Sequence, residues 1–368
     1  MKKLLFILSV LLVAGCSTVA NLVEFENDNE VTFYNSFGYL DGEEWVIPMR
    51  MYVHHQRERM ESWTTSFAAW RYNLDEDERE IFQSRIDNIV ADSEWRESVE
   101  FRFKDDPTNK TYRVKNEEGD HPKTDLNGLK EGYIRISQGR ADSLLQAQNS
   151  DNNWLSIEAI STYHSGTGRV QLIEPEGVSV ISDIDDTVKI TELPAGSRVV
   201  TRNTFFKEYT AAPGMADLYN SWDVDVFHYV SGAPWQLYKP LSQFLFDEEQ
   251  GFPKGSFHMK NVRKNFFILS SWRDLGQLIT NENFTYDQKV EQISSLFETF
   301  PNREFILVGD SGERDPDVYD KIREMYPDQV KEIIIRDVVN DREENPERLA
   351  GMTIIPAKTV TFGESQFY

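Results

Sequence analysis

The stretch Gly177-Val-Ser-Val-Ile-Ser-Asp-Ile-Asp-Asp-Thr187 decides the fold, because an apolar, β-branched run ends there in a group of carboxylates. The run 178–181 is typical of a strand that is buried on both faces in a parallel sheet. In open α/β sheets the ligand binds beyond the carboxyl ends of the strands. Asp183 and Asp185 follow this strand and are two residues apart, so an extended backbone would point both side chains the same way. The stretch therefore predicts a functional site at these two carboxylates.

Two more apolar runs further along the chain end in residues that can carry chemistry. The run 224–230 leads into Ser231 and Gly232, and the run 305–308 leads into Gly309-Asp310-Ser311-Gly312-Glu313-Arg314-Asp315. A fourth run occupies 332–335, and helical stretches are predicted between the runs at 213–221, 234–246, 286–300 and 318–326. This alternation predicts a parallel α/β domain over residues 177–368 that gathers the strand-end side chains at one edge.

The region 31–176 has a different pattern, because alternating strands and turns dominate it. We predict a β-rich, sandwich-like domain with one inserted helix at 75–91, begun by Asp75 as its N-cap. His54 and His55 are adjacent on a strand, where they face opposite ways, so we expect them to be surface histidines and not a metal site.

The N-terminus resembles a bacterial lipoprotein signal. Residues 1–15 have two lysines and then an apolar run too short to span a membrane, followed by Cys16 in a Leu-Val-Ala-Gly-Cys box. We expect cleavage before Cys16, lipidation of its thiol, and a polar linker over 16–30. Ser17 after the cysteine favours the outer membrane, with the protein facing the periplasm.

The length, charge and cysteine content of the chain indicate its number of domains and make some classes of partner and site unlikely. The 368 residues are enough for two domains, and 62 Asp and Glu against 39 Lys and Arg give a formal charge of −23. Nucleic acid is an unlikely partner for so acidic a chain, because phosphate binding needs clustered cations. The single cysteine excludes an internal disulfide and a cysteine-rich zinc site. The oligomeric state is not indicated.

Long, specific motifs in 177–340 resemble the actin-patch-associated phosphatidate phosphatase family, a branch of the haloacid dehalogenase superfamily. The matching stretches begin at Gly177, Pro213, Phe227, Gly251 and Phe305, and the last reads Phe-Ile-Leu-Val-Gly-Asp-Ser-Gly-Glu-Arg-Asp-Pro. Ala233 and Met259 depart mildly from the serine and leucine of the family pattern. The resemblance implies a haloacid-dehalogenase-like Rossmannoid sheet without a large cap, following the β-rich domain.

The resemblance also implies a role for each strand-end residue. Asp183 would be the nucleophile and Asp185 the acid and base, while Ser231, Gly232 and Thr187 would hold phosphoryl oxygens. Asp183, the main-chain carbonyl of Asp185, and Asp310 would bind Mg²⁺. A lysine beside the phosphate is also expected: Lys289, which lies 21 residues before Asp310, is preferred and Lys260 is the alternative.

Two acidic residues keep open roles. Asp315 either ligates the metal through water or caps the helix that begins near Pro316. Asp186 is either a supporting carboxylate or a turn residue, and we assign it no role.

The function implied by the resemblance is Mg²⁺-dependent hydrolysis of phosphatidate to diacylglycerol and phosphate through an aspartyl-phosphate. The alternatives are a phosphatase for another periplasmic phosphomonoester and a tethered, non-catalytic binding lipoprotein. A mixture of aromatic and basic residues over 251–272 is suited either to contact with a lipid headgroup or to a partly buried loop.

Overall fold

A computed structural model describes residues 29–55, 58–90, 92–161, 163–260 and 282–357. The predicted signal, Cys16 and most of the linker lie outside these ranges, as does 261–272 of the aromatic and basic stretch. Within the described ranges, no helix is long and apolar enough to cross a bilayer.

The N-terminal region forms a nine-stranded sheet around the long strand β3. Its strands are β1 (Asn29–Phe33), β2 (Ser36–Asp41), β3 (Glu44–His55), β4 (Asp92–Ser93), β5 (Phe101–Phe103), β6 (Leu129–Ser137), β7 (Trp154–Ala159), β8 (His164–Ser165) and β9 (Thr167–Leu172). The hydrogen-bonded path runs β5-β7-β9-β2-β3-β1-β8, and β4 and β6 also pair with β3. Buried side chains from both halves of the path, such as Met51, Phe101 and Leu155, share one apolar cluster.

Three helices accompany this sheet: α1 (Glu58–Tyr72), α2 (Glu76–Val90) and α3 (Gln138–Ala147). Helix α2 is the predicted inserted helix, and it begins as predicted. The amide of Glu78 donates to Asp75 at 2.9 Å, and the Glu78 carboxylate accepts from the amide of Asp75 at 3.3 Å, which is a capping box.

The C-terminal region is a six-stranded, fully parallel sheet in the order β12-β11-β10-β13-β14-β15. The strands are β10 (Gly177–Ser182), β11 (Phe227–Pro234), β12 (Ser256–Lys260), β13 (Arg303–Asp310), β14 (Val330–Asp337) and β15 (Thr353–Pro356). The helices are α4 (Ser197–Phe205), α5 (Met215–Asn220), α6 (Tyr238–Leu245), α7 (Glu282–Thr299), α8 (Asp315–Met325) and α9 (Asp341–Glu344). This confirms the expected α/β class with a preceding β-rich sheet.

Helices cover both faces of the parallel sheet, which explains the apolar runs of its central strands β10, β11 and β13. Ile181 and Leu307 pack against α7 and α8 on one face. Val180 and Val308 face the opposite cluster, which α4, α5 and α6 share with Phe82 of α2. The N-terminal hairpin α1–α2 therefore packs directly on the parallel domain.

Arg303 joins the two regions. It is buried, and its guanidinium donates to Ser179 Oγ at 2.9 Å and to the carbonyls of Glu174, Glu176 and Val178 at 2.8, 2.5 and 2.6 Å. Glu174 and Glu176 lie in the connection between β9 and β10 and Val178 lies in β10, so a single residue on β13 holds the junction.

One expectation needs correction, and one open alternative can be addressed over the described residues. His54 is not a surface residue: it is 1% exposed, and its ring stacks on Tyr52 with 4.5 Å between centroids. In the described part of the aromatic and basic stretch, Phe252 and Phe257 are buried core residues. Over this part, the buried alternative is the correct one.

Candidate active site

Three neighbouring parallel strands deliver the candidate residues to one edge of the sheet. Strand β10 lies between β11 and β13, and Asp183 follows its last residue. Ser231 lies near the end of β11, and Asp310 ends β13. Because the strands are parallel, their carboxyl ends meet, as the sequence predicts.

Lys289 on α7 joins the carboxylates of this edge. Its ammonium lies 2.7 Å from Asp183 Oδ1, 3.0 Å from Glu313 Oε2 and 2.5 Å from Asp315 Oδ1. Burial alone would lower the pKa of Lys289, but the three carboxylates raise it well above its ordinary value. The lysine is therefore charged, and it holds one oxygen of Asp183 in place.

The second oxygen of Asp183 is buried and has no hydrogen-bond partner among the described residues. Asp183 is 1% exposed, and burial raises its pKa well above the ordinary range, with Lys289 opposing and Asp315 and Glu313 adding to the rise. A buried anionic oxygen without a donor is costly. It is suited to a cation or to an electrophile such as phosphorus.

Asp310, like Asp183, has one carboxylate oxygen with hydrogen-bond donors and one buried oxygen without a donor among the described residues. Its Oδ1 accepts from the amides of Gly312 at 2.7 Å and Glu313 at 3.2 Å, whereas its Oδ2 is buried with no partner in the described ranges. Burial and then the charges of Asp315 and Glu313 raise its pKa well above the ordinary range.

The carboxylates of Asp183, Asp310, Glu313 and Asp315 fit a divalent cation. One oxygen of each lies within 4.8 Å of the others. With all four carboxylates ionised, the cluster and the Lys289 ammonium have a formal charge of −3. Burial raises the pKa of the Glu313 carboxyl to about 7. A cavity of about 10 Å³ beside Lys289 has room for a water-sized species. All the donors are oxygens, as hard cations prefer.

Gly309 and Gly232 are required by this packing. A Cβ on Gly309 would lie 2.5 Å from Asp315 Oδ2, and one on Gly232 would lie 2.7 Å from Thr285 Cγ2 of α7. Both distances are shorter than side chains tolerate, so the two glycines let α8 and α7 approach the strand ends.

Asp185 lies outside the carboxylate cluster and has its own lysine. Its Oδ1 is 2.7 Å from the ammonium of Lys189 and accepts from Thr191 Oγ1 at 2.6 Å. Burial raises the pKa of Asp185, but Lys189 and Thr191 outweigh burial and hold it below the ordinary value. The two carboxylates of the Asp-x-Asp pair thus have opposite electrostatic environments.

The predicted phosphate-binding residues Ser231, Thr187 and Lys260 are all buried. Ser231 is buried, and its Oγ accepts from the amide of Ala233 at 3.0 Å, which leaves its own proton for a ligand. The Oγ of Thr187 is buried and has no hydrogen-bond partner within the described chain. The position of Lys260, at the end of β12, is buried as well, and burial lowers its pKa while Glu313 raises it.

Of the two candidate lysines, Lys289 contacts Asp183, with 2.7 Å between its ammonium and Asp183 Oδ1. The side chain of Asp315 does not cap α8; it binds Lys289 and accepts from the Asp310 amide at 3.3 Å. Asp186 has a defined structural role, because it accepts from the amides of residues 191, 192 and 193 at 2.8, 2.7 and 2.6 Å.

Sequence reasoning missed three residues of this site: Glu313, Lys189 and Thr191. Glu313 lies inside the quoted Gly-Asp-Ser-Gly-Glu motif, so its position could have been noticed. Lys189 and Thr191 lie four and six residues after Asp185, in a turn where sequence spacing does not reveal which side chains converge.

Comparisons with known proteins agree with this geometry. Residues 178–337 match the family model described as the catalytic domain of phosphatidate phosphatase APP1. The chain is 32% identical over 196 residues to phosphatidate phosphatase APP1 of Saccharomyces cerevisiae, which covers 52% of this chain and 31% of that protein. It is 27% identical over 226 residues to an uncharacterized protein of Schizosaccharomyces pombe, with coverage of 57% and 34%. The chain spans about a third of the length of these curated relatives.

Solved structures add nothing to this assignment. A β-glucuronidase of Ruminococcus gnavus in complex with uronic isofagomine aligns with 86% of this chain and 46% of its own, at 10% identity and a TM-score of 0.22. That score is too low to indicate a shared fold. The family match and the sequence identity remain, and they show that residues 178–337 are similar to the catalytic domain of phosphatidate phosphatase APP1.

Proposed function

We propose that this protein is a Mg²⁺-dependent phosphatase that hydrolyses phosphatidate to diacylglycerol and phosphate. The observation that carries the proposal is the buried carboxylate of Asp183, which lies 2.7 Å from Lys289 and in a cluster with three further carboxylates. The lipid substrate is supported by the relative named phosphatidate phosphatase APP1.

Asp183 is the proposed nucleophile. Its oxygen attacks phosphorus, the bond from phosphorus to the alkyl oxygen breaks, and an aspartyl-phosphate forms. Lys289 holds the other oxygen of Asp183 and offsets the charge of the phosphoryl group, while Ser231 and the Gly232 amide bind its oxygens. When bound, Mg²⁺ would offset the repulsion between the carboxylates and the phosphate.

Asp185 is the proposed acid and base. It gives a proton to the leaving alkoxide, and it then takes a proton from the water that attacks the aspartyl-phosphate, so each turnover restores its proton. A phosphate dianion bound nearby favours the protonated form that the first step needs. Lys189 and Thr191 favour the ionised form that the second step needs.

The test is phosphate release by the full chain, purified in detergent, from phosphatidate in mixed micelles with Mg²⁺. We expect release that stops with a chelator and in the isosteric variant Asp183→Asn, and a phosphoryl group on the Asp183 peptide after acid quenching. Activity on an aryl phosphate alone would retain a phosphatase and reject the lipid substrate. Inactivity on both esters would favour a non-catalytic lipoprotein.

We also propose that Cys16 carries lipid and tethers the protein to the outer membrane, facing the periplasm. The support is the signal-like sequence of residues 1–16. Cells that express the wild type or Cys16→Ser are labelled with a radioactive fatty acid and fractionated. Label on the wild type alone, in the outer-membrane fraction, is the expected result, and equal labelling of both proteins would contradict the proposal.

A further inference from the structure

Lys189 is a fully buried lysine, and among the described residues its ammonium contacts one carboxylate oxygen. Its side chain is 1% exposed, and its ammonium lies 2.7 Å from Asp185 Oδ1. The ammonium also donates to Thr191 Oγ1, and that hydroxyl donates to Asp185 Oδ1 at 2.6 Å. The three side chains form a closed triangle of hydrogen bonds.

This triangle holds the carboxylate of Asp185 away from its neighbours. Asp183, Asp310, Glu313 and Asp315 supply the oxygens that gather within 4.8 Å, and Asp185 does not. A carboxylate so close in sequence to Asp183 would be drawn towards a divalent cation in that cluster. Both contacts of the triangle engage Oδ1, so they leave Oδ2 available for proton exchange.

We propose that Lys189 is a positioning residue: with Thr191, it fixes the carboxylate of Asp185 outside the cation cluster, where it exchanges a proton with the leaving group. The inference rests on the proposed phosphatase function and adds a residue to its machinery. The simpler alternative is that Lys189 only neutralises a buried acid, in which case its loss affects stability and not the selectivity for leaving groups.

The N-terminal hairpin supports the position of Lys189. The ammonium lies 4.9 Å from the ring centroid of Tyr209, and the guanidinium of Arg85, on α2, lies 3.8 Å from the same centroid. Arg85 also donates to the carbonyl of Thr204 at 2.8 Å. A continuous set of contacts thus connects the inserted helix to the carboxylate of Asp185.

The test compares two esters in Lys189→Met. Phosphatidate releases a basic alkoxide that needs a proton, whereas p-nitrophenyl phosphate releases a weakly basic phenolate that does not. Since kcat/KM reports only the steps up to the phosphorylation of Asp183, we expect it to fall about 100-fold for phosphatidate and far less for the aryl ester. The kcat for the aryl ester should also fall, with accumulation of phosphorylated Asp183, because water activation needs the same carboxylate.

Two further variants keep the test decisive if Lys189→Met folds poorly. Thr191→Val removes the two sides of the triangle that involve the hydroxyl and leaves the ion pair, so it should change the ratio of the two kcat/KM values in the same direction by about 10-fold. Tyr209→Leu removes the supporting ring, and its effect on the ratio should exceed that of Tyr209→Phe. Lys130→Met, at another buried lysine remote from the site, should leave the ratio unchanged.

The outcomes separate this inference from the proposed function. A wild type that is inactive on both esters refutes the phosphatase function itself. A wild type that is active, with variants that lose the two kcat/KM values equally, refutes the positioning role and leaves Lys189 as a structural ion-pair partner. A selective loss for phosphatidate in Lys189→Met and Thr191→Val supports the positioning role.

Discussion

Lys130 on β6 offers a direct test of how burial of a charge affects this fold. Its side chain is 1% exposed, and its ammonium has no hydrogen-bond partner among the described residues. Lys130 pairs with Met51 of β3, a residue of the apolar N-terminal cluster. Burial, then repulsion by Arg113, lowers the pKa of Lys130 to about 8, while Glu100 acts in the opposite direction.

Lys130→Met is expected to stabilise the protein. The lowered pKa means that the folded state binds the proton less tightly than the unfolded chain does, whose lysine has a pKa of 10.5. The difference corresponds to a cost of about 3 kcal/mol at pH 7, since each pKa unit is about 1.4 kcal/mol. Methionine keeps most of the apolar stem and removes the charge, so we expect a gain of about 1–3 kcal/mol.

The pH dependence of this gain is specific. The cost of Lys130 is fully present below the folded pKa of about 8 and disappears as the pH rises towards 10.5, where both states are neutral. The stability difference between variant and wild type should therefore shrink by about 2 kcal/mol between pH 7 and pH 10.

The assay is urea unfolding followed by circular dichroism at pH 7 and pH 10. Lys115→Met, at an exposed lysine of the same region, is the matched control and should shift the free energy of unfolding by no more than about 0.5 kcal/mol. A Lys130→Met protein less stable than the wild type at pH 7, or an equal gain at both pH values, would refute the reasoning.

Three further predictions concern the site and its packing. Mg²⁺ at 100 times its Kd should stabilise the wild type by about 2.7 kcal/mol, and Asp310→Asn should lose most of this gain in a thermal melt; equal gains would place the cation elsewhere. His228 is buried and its pKa lies well below the ordinary value, so stability should fall by about 1.4 kcal/mol per pH unit below pH 6.5 as the unfolded chain alone takes up the proton. His228→Gln should flatten that part of the profile in urea titrations, and an unchanged slope would contradict the assignment. Gly309→Ala forces a Cβ to within 2.5 Å of Asp315 and should destabilise by about 1–3 kcal/mol, whereas Gly139→Ala, with open space around it, should not; equal melting temperatures for the two variants would argue against the close approach.

The elements predicted from sequence are those with a strong local signal. The apolar runs became β10, β11, β13 and β14, and the Asp75 cap began α2, because burial on both faces and a capping box are both local features. Strands β12 and β15 and helices α1, α3 and α4 were not predicted. Strand β15 has four residues and β12 includes a histidine and a lysine, so neither has a clear apolar run.

The candidate site was predicted in part for the same reason. Residues that directly follow an apolar run, such as Asp183 and Asp310, are visible in sequence, because the ends of parallel strands share an edge. Residues in turns and on helices follow no such pattern, and Lys289 on α7 was expected only through the family resemblance. Lys189 and Glu313 reach the site through backbone turns that no periodic pattern encodes.

The sequence alone predicts the order of the reactive groups along the chain. A carboxylate pair, a hydroxyl with glycine, and a second acidic group each lie at the end of a buried strand. The contact between Lys289 and Asp183 is visible only in the tertiary structure. Lys289 and Asp183 are 106 residues apart, and their 2.7 Å contact depends on how α7 lies against the strand ends. The energy of an ion pair changes with shifts of about an ångström in the distance between the charges. A hydrophobic pattern predicts which face of a helix is buried, but it does not predict such distances.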